Sequence, residues 1–176
     1  NGVDRDKVQI LQLNPSVIVA SLIEGKIDAA ECWLGNSRPL FQQQAAAAGL
    51  TLDWIEYGAH GLDTYGSGLI TTDRMIAERP DDVAGFVAAT YEGYAYASAH
   101  PEEARDIMLR RFPTLDAGVT LAQIREISAL LGEPARMGQA DPDKMARTLE
   151  FIASGYGLGD KVAVDDIYTN QFVAPR

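Results

Sequence analysis

The spacing of apolar residues changes partway along the chain. Residues 7–13, Lys7-Val8-Gln9-Ile10-Leu11-Gln12-Leu13, largely alternate polar with apolar, the period of a half-buried strand. Asn14-Pro15 breaks that run and opens a short apolar helix with Val17, Ile18, Leu22 and Ile23, for which Gly25 is the expected C-cap. Residues 27–34 predict a second strand and Gly35-Asn36-Ser37 a turn. Ser37-Arg38-Pro39 then starts a helix that runs through Ala48 and closes at Gly49. Residues 50–55, with Leu50, Leu52 and Trp54 alternating, predict a third strand. Strand, helix, strand, helix, strand is the order of an α/β lobe with a largely parallel sheet.

The period lengthens after a glycine-rich stretch, residues 57–72. Gly58, Gly61, Gly66 and Gly68 permit backbone angles that other residues resist. Leu69-Ile70-Thr71-Thr72 reads as a short buried strand, and Asp73 as the cap of the next helix. The stretch is either a crossing between two lobes or a surface loop within one domain. Beyond it apolar residues recur at helical spacing: Val83, Phe86, Val87 and Thr90 after Pro80, then Ala104, Ile107 and Met108 after Pro101. Leu121, Ile124, Ile127 and Leu130 lead to Gly132, and Met145, Leu149 and Ile152 to Gly155. The expected organisation is an incomplete α/β lobe over residues 1–60, a hinge crossing strand over 61–72 and a mostly helical part of a second lobe over 73–176.

About three strands and several broad apolar helix faces are too little sheet for so many covers. An upstream part of the same protein is therefore expected to supply the missing strands. The competing reading packs the helices on one another as a bundle. The first residues, Asn1-Gly2-Val3, contain no methionine, which fits a start that lies elsewhere.

Charge narrows the partners. With 25 acidic against 15 basic residues and a net charge of −10, the chain repels phosphate backbones, so no nucleic-acid partner is expected. Anionic membrane surfaces are disfavoured for the same reason, and no apolar run approaches the ~20 residues of a membrane helix. Cys32 is the single cysteine, which excludes an internal disulfide and a thiolate metal cluster.

Few residues offer catalytic chemistry. His60 and His100 are the only histidines, and neither has a companion at metal-ligand spacing, so no metal site is expected. A Cys32–His60 nucleophile pair lacks the flanking signatures of cysteine proteases, and Cys32 in an apolar run reads equally as an inert small hydrophobe. Gly66-Ser67-Gly68 lacks the lysine and following helix of a nucleotide loop. No catalytic residue and no cofactor follow. Ligands of parallel α/β sheets gather at the carboxyl ends of strands, where Glu31, Trp33 and Asn36 fall. Strand period puts Glu31 and Trp33 on one face. An indole with a carboxylate and an amide suits a flat polar molecule or a cation. The alternative makes Trp33 core and Asn36 a turn former.

Several segments together resemble a known family. These are residues 2–8, Leu22-Ile23-Glu24-Gly25-Lys26-Ile27-Asp28-Ala29-Ala30, the crossing from Tyr57 to Ile70, the helix pair from Pro80 to Ala104, and Asp166-Ile167-Tyr168-Thr169-Asn170-Gln171-Phe172-Val173. In order and spacing they resemble ABC-transporter substrate-binding proteins of the thiamine-pyrimidine-precursor and nitrate/sulfonate/taurine type. The resemblance implies a type II periplasmic-binding fold, in which two α/β lobes close on a ligand in the cleft between them. It implies that this chain is the C-terminal portion. Asn36, Gly61 and Tyr65 match positions that tend to line the family's cleft. The length of the Asp-x-Tyr-Gly crossing, Asp63 to Gly66, leans toward the pyrimidine-precursor branch.

The resulting expectation is a non-catalytic solute-binding component of an ABC importer, periplasmic or extracellular and lipid-anchored in one version. Its partners would be a small polar solute and a membrane permease. Trp33 and Tyr65 would stack on the solute, Glu31, Asn36 and His60 would hydrogen-bond it, and Gly61 would let it approach. Two rivals share the features: a pyrimidine-precursor synthase-like enzyme of the same fold, for which one cysteine and two histidines are a poor complement, and a ligand-sensing domain of a regulatory protein.

Overall fold

The computed structural model describes residues 3–133 and 136–173. Asn1 and Gly2, at the head of the expected first lobe, lie outside them. The chain gathers into two compact units, each discontinuous in sequence. The first comprises Asn1–Trp54 with Pro101–Leu130, and the second Ile55–His100 with Leu131–Arg176.

The first unit holds α1 (Pro15–Ile23) and α2 (Ser37–Ala47). Asn14 caps α1 by accepting the Ser16 N–H, and Pro15 occupies the first turn, where its missing N–H costs nothing. Gly25, at φ +68°, ends it, with Lys26 N–H returning to the Ser21 carbonyl. Gly49, at φ +72°, does the same for α2. Phe41 and Ala45, four residues apart, are buried, and α1 contributes the buried Val19.

In the second unit a 3-10 turn, Tyr57–His60, leads through Gly61 to a long irregular segment. Helix α3 (Asp73–Glu78) follows, capped by the Thr72 hydroxyl on the Met75 N–H rather than by Asp73. Thr72 holds the extended backbone a cap requires (φ −99°, ψ 152°), which leaves Asp73 inside the first turn. Helix α4 (Pro80–Ala99) buries Val83 and carries acidic Asp81 and Asp82 at its positive end.

Two further helices belong to the first unit. Helix α5 (Pro101–Arg111) buries Ala104, and α6 (Ala117–Leu131) begins where Asp116 accepts the Val119 N–H. An ion pair of 2.6 Å between Arg125 and Glu102 ties α6 to α5. In the second unit α7 (Pro142–Tyr156) is capped by Asp141 and stopped by Gly157, at φ +65°. Gly155, the expected stop, lies inside the helix.

Among the described residues no strand forms. Of the segments expected as strands, 7–13, 27–34, 50–55 and 69–72, none forms a ladder; Lys7 ends a 3-10 turn, Leu34 opens a turn, and the rest are not helical. A strand satisfies its amides and carbonyls only against a hydrogen-bonded neighbour, and none of these segments has one among the described residues. Their apolar residues stay in the open, with Ile10 71%, Ile55 75% and Ile70 97% exposed. Val19, Phe41, Ala45 and Ala104 in the first unit, with Val83 and Met137 in the second, make a modest buried set.

Candidate functional site

The first unit holds Glu31, Trp33 and Asn36 within one loop that enters α2. The loop is tied down chiefly through its backbone. Trp33 N–H donates to Ser37 Oγ at 2.9 Å, and the Trp33 carbonyl accepts from Asn36 N–H at 3.2 Å and Arg38 N–H at 3.3 Å. Gly35 is buried at φ +70° against Ile127, and its N–H donates to Glu126 Oε2 at 2.8 Å. Gln123 Nε2 donates to the Asn36 carbonyl at 2.6 Å. Glu126 Oε1 also lies 3.4 Å from Arg38 Nε, and the Arg38 guanidinium sits 5.3 Å from the centre of the Trp54 ring.

Backbone ties leave the side chains outward. Trp33 is 57% exposed, and Glu31 and Asn36 are exposed too. Asn36 stands at the N-cap of α2 but makes no capping bond with its side chain, so its amide is not spent on the turn. Residues 27–33 form no ladder, so the period-two placement of Glu31 beside Trp33 does not apply. Burial pushes the Cys32 thiol up; the Arg38 charge opposes this and the Glu126 and Glu31 charges add to it. A raised thiol is a poor nucleophile at neutral pH, which favours the inert reading of Cys32.

The second unit holds His60, Gly61 and Tyr65. His60 is exposed and ends the 3-10 turn, and Gly61 reverses the chain at φ +92°, a backbone that favours glycine. Tyr65 is half-buried and anchored on α7. Its N–H donates to Thr148 Oγ1 at 2.9 Å, and its hydroxyl accepts the Asp141 N–H at 2.8 Å. Lys144 Nζ lies 5.0 Å from the centre of the Tyr65 ring and 2.6 Å from Asp63 Oδ1, with Arg147 3.6 Å from the other Asp63 oxygen. The Lys144 hydrogen bond and charge, then Arg147, hold the Asp63 carboxyl below its usual range. Asn170 grips Ala140 from both sides, accepting its N–H at 2.9 Å and donating to its carbonyl at 2.8 Å.

The braces Gln123, Glu126, Thr148, Lys144 and Asn170 were not among the residues singled out by sequence. The one signal was the Asp166–Val173 segment, which contains Asn170. None of the six candidates lines the open groove of about 600 Å³ in the second unit, whose wall includes Ala146, Leu149, Ala153 and Val162 with Glu150. Among the described residues no group of three or more His, Cys, Asp or Glu could hold a metal ion, and no helix is long and apolar enough to cross a membrane.

A family model described as NMT1/THI5 like matches residues 1–104, more than half of the chain, and the chain belongs to the NMT1/THI5-like family. That family implies a periplasmic-binding-like fold, and the resemblance read from the sequence is borne out. The chain is similar to the riboflavin-binding protein RibY of Chloroflexus aurantiacus, 26% identical over 165 residues, covering 88% of this chain and 44% of that protein. It is also similar to a protein of Brucella abortus named as a candidate binding protein, 28% identical over 112 residues, covering 60% of this chain and 32% of that one. The chain thus spans less than half the length of these curated relatives. No solved structure gives a significant match.

Proposed function

We propose that the chain is part of the solute-binding component of an ABC importer, acting outside the cytoplasm, and that it captures a flat, polar heteroaromatic solute. In this reading the full protein has the type II periplasmic fold with two α/β lobes, and a membrane permease receives the solute. The observation that carries the reading is Trp33, a large indole left in the open on a loop whose backbone is hydrogen-bonded at Trp33, Gly35 and Asn36. Ordering a surface loop costs conformational entropy, and a fixed loop that presents an aromatic suits stacking on a planar ring. Glu31 and Asn36 add a carboxylate and an amide within the same six residues.

Within the second unit, His60 would serve as a hydrogen-bonding group, Gly61 as a point of close approach and Tyr65 as a ring for stacking. Relatives named as binding proteins support capture rather than conversion of the solute. The name of the Chloroflexus protein extends the candidate solutes from pyrimidine thiamine precursors to flavins. Exposed Glu31 and the net charge of −10 favour these over nitrate or sulfonates.

Calorimetry on the full-length protein with riboflavin, hydroxymethylpyrimidine, taurine and nitrate tests the reading. Micromolar or tighter binding of a heteroaromatic ring is expected. Tighter binding of taurine or nitrate, or heat from none of the four, contradicts it.

A further inference from the structure

The loop that presents Trp33 and Asn36 closes on itself through Trp33, and one face of a neighbouring helix, α6, braces it from outside. Gln123, Glu126 and Ile127, spaced by three and four, fall on that face. Gln123 takes the Asn36 carbonyl, Glu126 takes the Gly35 N–H, and Ile127 packs so closely on Gly35 that a Cβ there would stand 2.6 Å from Ile127 Cγ1. Glu126 reaches both sides of the turn. One oxygen binds the loop at Gly35, and the other faces Arg38 in the first turn of α2 at 3.4 Å.

We propose that Glu126 is the positioning residue of the ligand loop: its carboxylate fixes where Trp33 and Asn36 project without touching the solute itself. This rests on the reading of that loop as a ligand contact. The donor Glu126 satisfies belongs to buried Gly35, and a buried N–H that loses its acceptor carries its full desolvation penalty. The loop escapes that penalty by moving so that the N–H meets water. Movement spends the preorganisation on which a small ligand's affinity depends. Glutamine in place of Glu126 keeps an acceptor oxygen for Gly35 but turns an amide NH2 toward Arg38 in place of the second oxygen, so it retains the loop contact and loses the one to α2.

The test uses the full-length protein with Glu126→Ala, Glu126→Gln, Trp33→Ala, and Arg125→Ala as a control that breaks only the exposed pair with Glu102. Hydrogen exchange of residues 33–38 reads the loop with no ligand present, titration with riboflavin reads the affinity, and thermal melting reads the fold. Glu126→Ala is expected to speed exchange at 33–38 by about tenfold and to weaken riboflavin by about tenfold. Glu126→Gln should stay within about threefold of the parent in both, and Arg125→Ala should leave both unchanged. Unchanged exchange at 33–38 in Glu126→Ala overturns the positioning role whatever the ligand. Faster exchange with full affinity, while Trp33→Ala weakens riboflavin, overturns it and leaves the loop as the contact. Full affinity in both Trp33→Ala and Glu126→Ala removes the loop from the binding site, and the inference falls with that reading. A loss of affinity in Glu126→Ala that follows a collapse of the melting temperature, with no rescue by glutamine, assigns Glu126 to the fold alone.

Discussion

The Tyr65 hydroxyl accepts the backbone N–H of Asp141 at 2.8 Å, across 76 positions of sequence. Asp141 is the N-cap of α7, and the Tyr65 N–H donates to Thr148, about two turns into the same helix. The crossing segment is therefore pinned to α7 at two points. Tyr65→Phe keeps the ring and removes one acceptor, so it should lower stability by about 0.5–1.5 kcal/mol. If the ring meets the solute, the same variant should leave affinity within about threefold and Tyr65→Ala should not. Urea unfolding and calorimetry on the full-length protein separate the two effects.

Asn170 spends both ends of its amide on Ala140, next to the residue that caps α7. Asn170→Ala removes both partners at once and should cost about 1–3 kcal/mol in urea unfolding. Asn170→Asp keeps the acceptor for the Ala140 N–H but sets a carboxylate against the Ala140 carbonyl. It should be nearly as damaging at neutral pH and milder in acid, where the carboxyl can donate.

Lys144 holds the Asp63 carboxyl below its ordinary value. A depressed carboxyl binds its proton more readily in the unfolded chain. Its stabilisation is therefore present above the ordinary carboxylate value of 3.8 and is lost as pH falls through the lower folded value. Asp63 is exposed, so the effect should be small and should shrink in high salt. Asp63→Asn should lower the melting temperature slightly above about pH 4 and converge with the parent in stronger acid, which flattens the acid limb of a plot of melting temperature against pH.

Gly35 sits at φ +70° with Ile127 where a side chain would go. Gly35→Ala should cost about 1–3 kcal/mol from overpacking, with the left-handed backbone adding to it. The loss should be visible in thermal melting. Gly25→Ala, at a similar φ but with nothing within 4 Å, isolates the backbone part and should cost less.

Helix ends were legible because capping is local. Asn14, Gly25, Gly49 and Gly132 terminate helices where the sequence placed them, each acting on residues within one turn. Thr72 against Asp73, and Gly157 against Gly155, differ because adjacent residues offer the same chemistry and backbone angles choose between them. The expected strands were legible as alternation, but alternation states which residues suit a sheet and not whether a neighbouring strand is present. The candidate loops followed from residue type. Their braces did not, because Glu126 acts on Gly35 across 91 positions, Lys144 on Asp63 across 81, and Asn170 on Ala140 across 30. Nothing in a single sequence pairs residues so far apart.

On the proposed reading, Trp33 is held out for a solute rather than for the core. Trp33→Ala in the full-length protein, titrated with riboflavin and hydroxymethylpyrimidine by calorimetry and melted without ligand, tests it most directly. An affinity loss of about 1–3 kcal/mol is expected for the ring that binds, as for a stacked aromatic contact, with a melting temperature within a few degrees of the parent. A severe loss of stability with affinity intact would contradict it and return Trp33 to the core of the full-length protein.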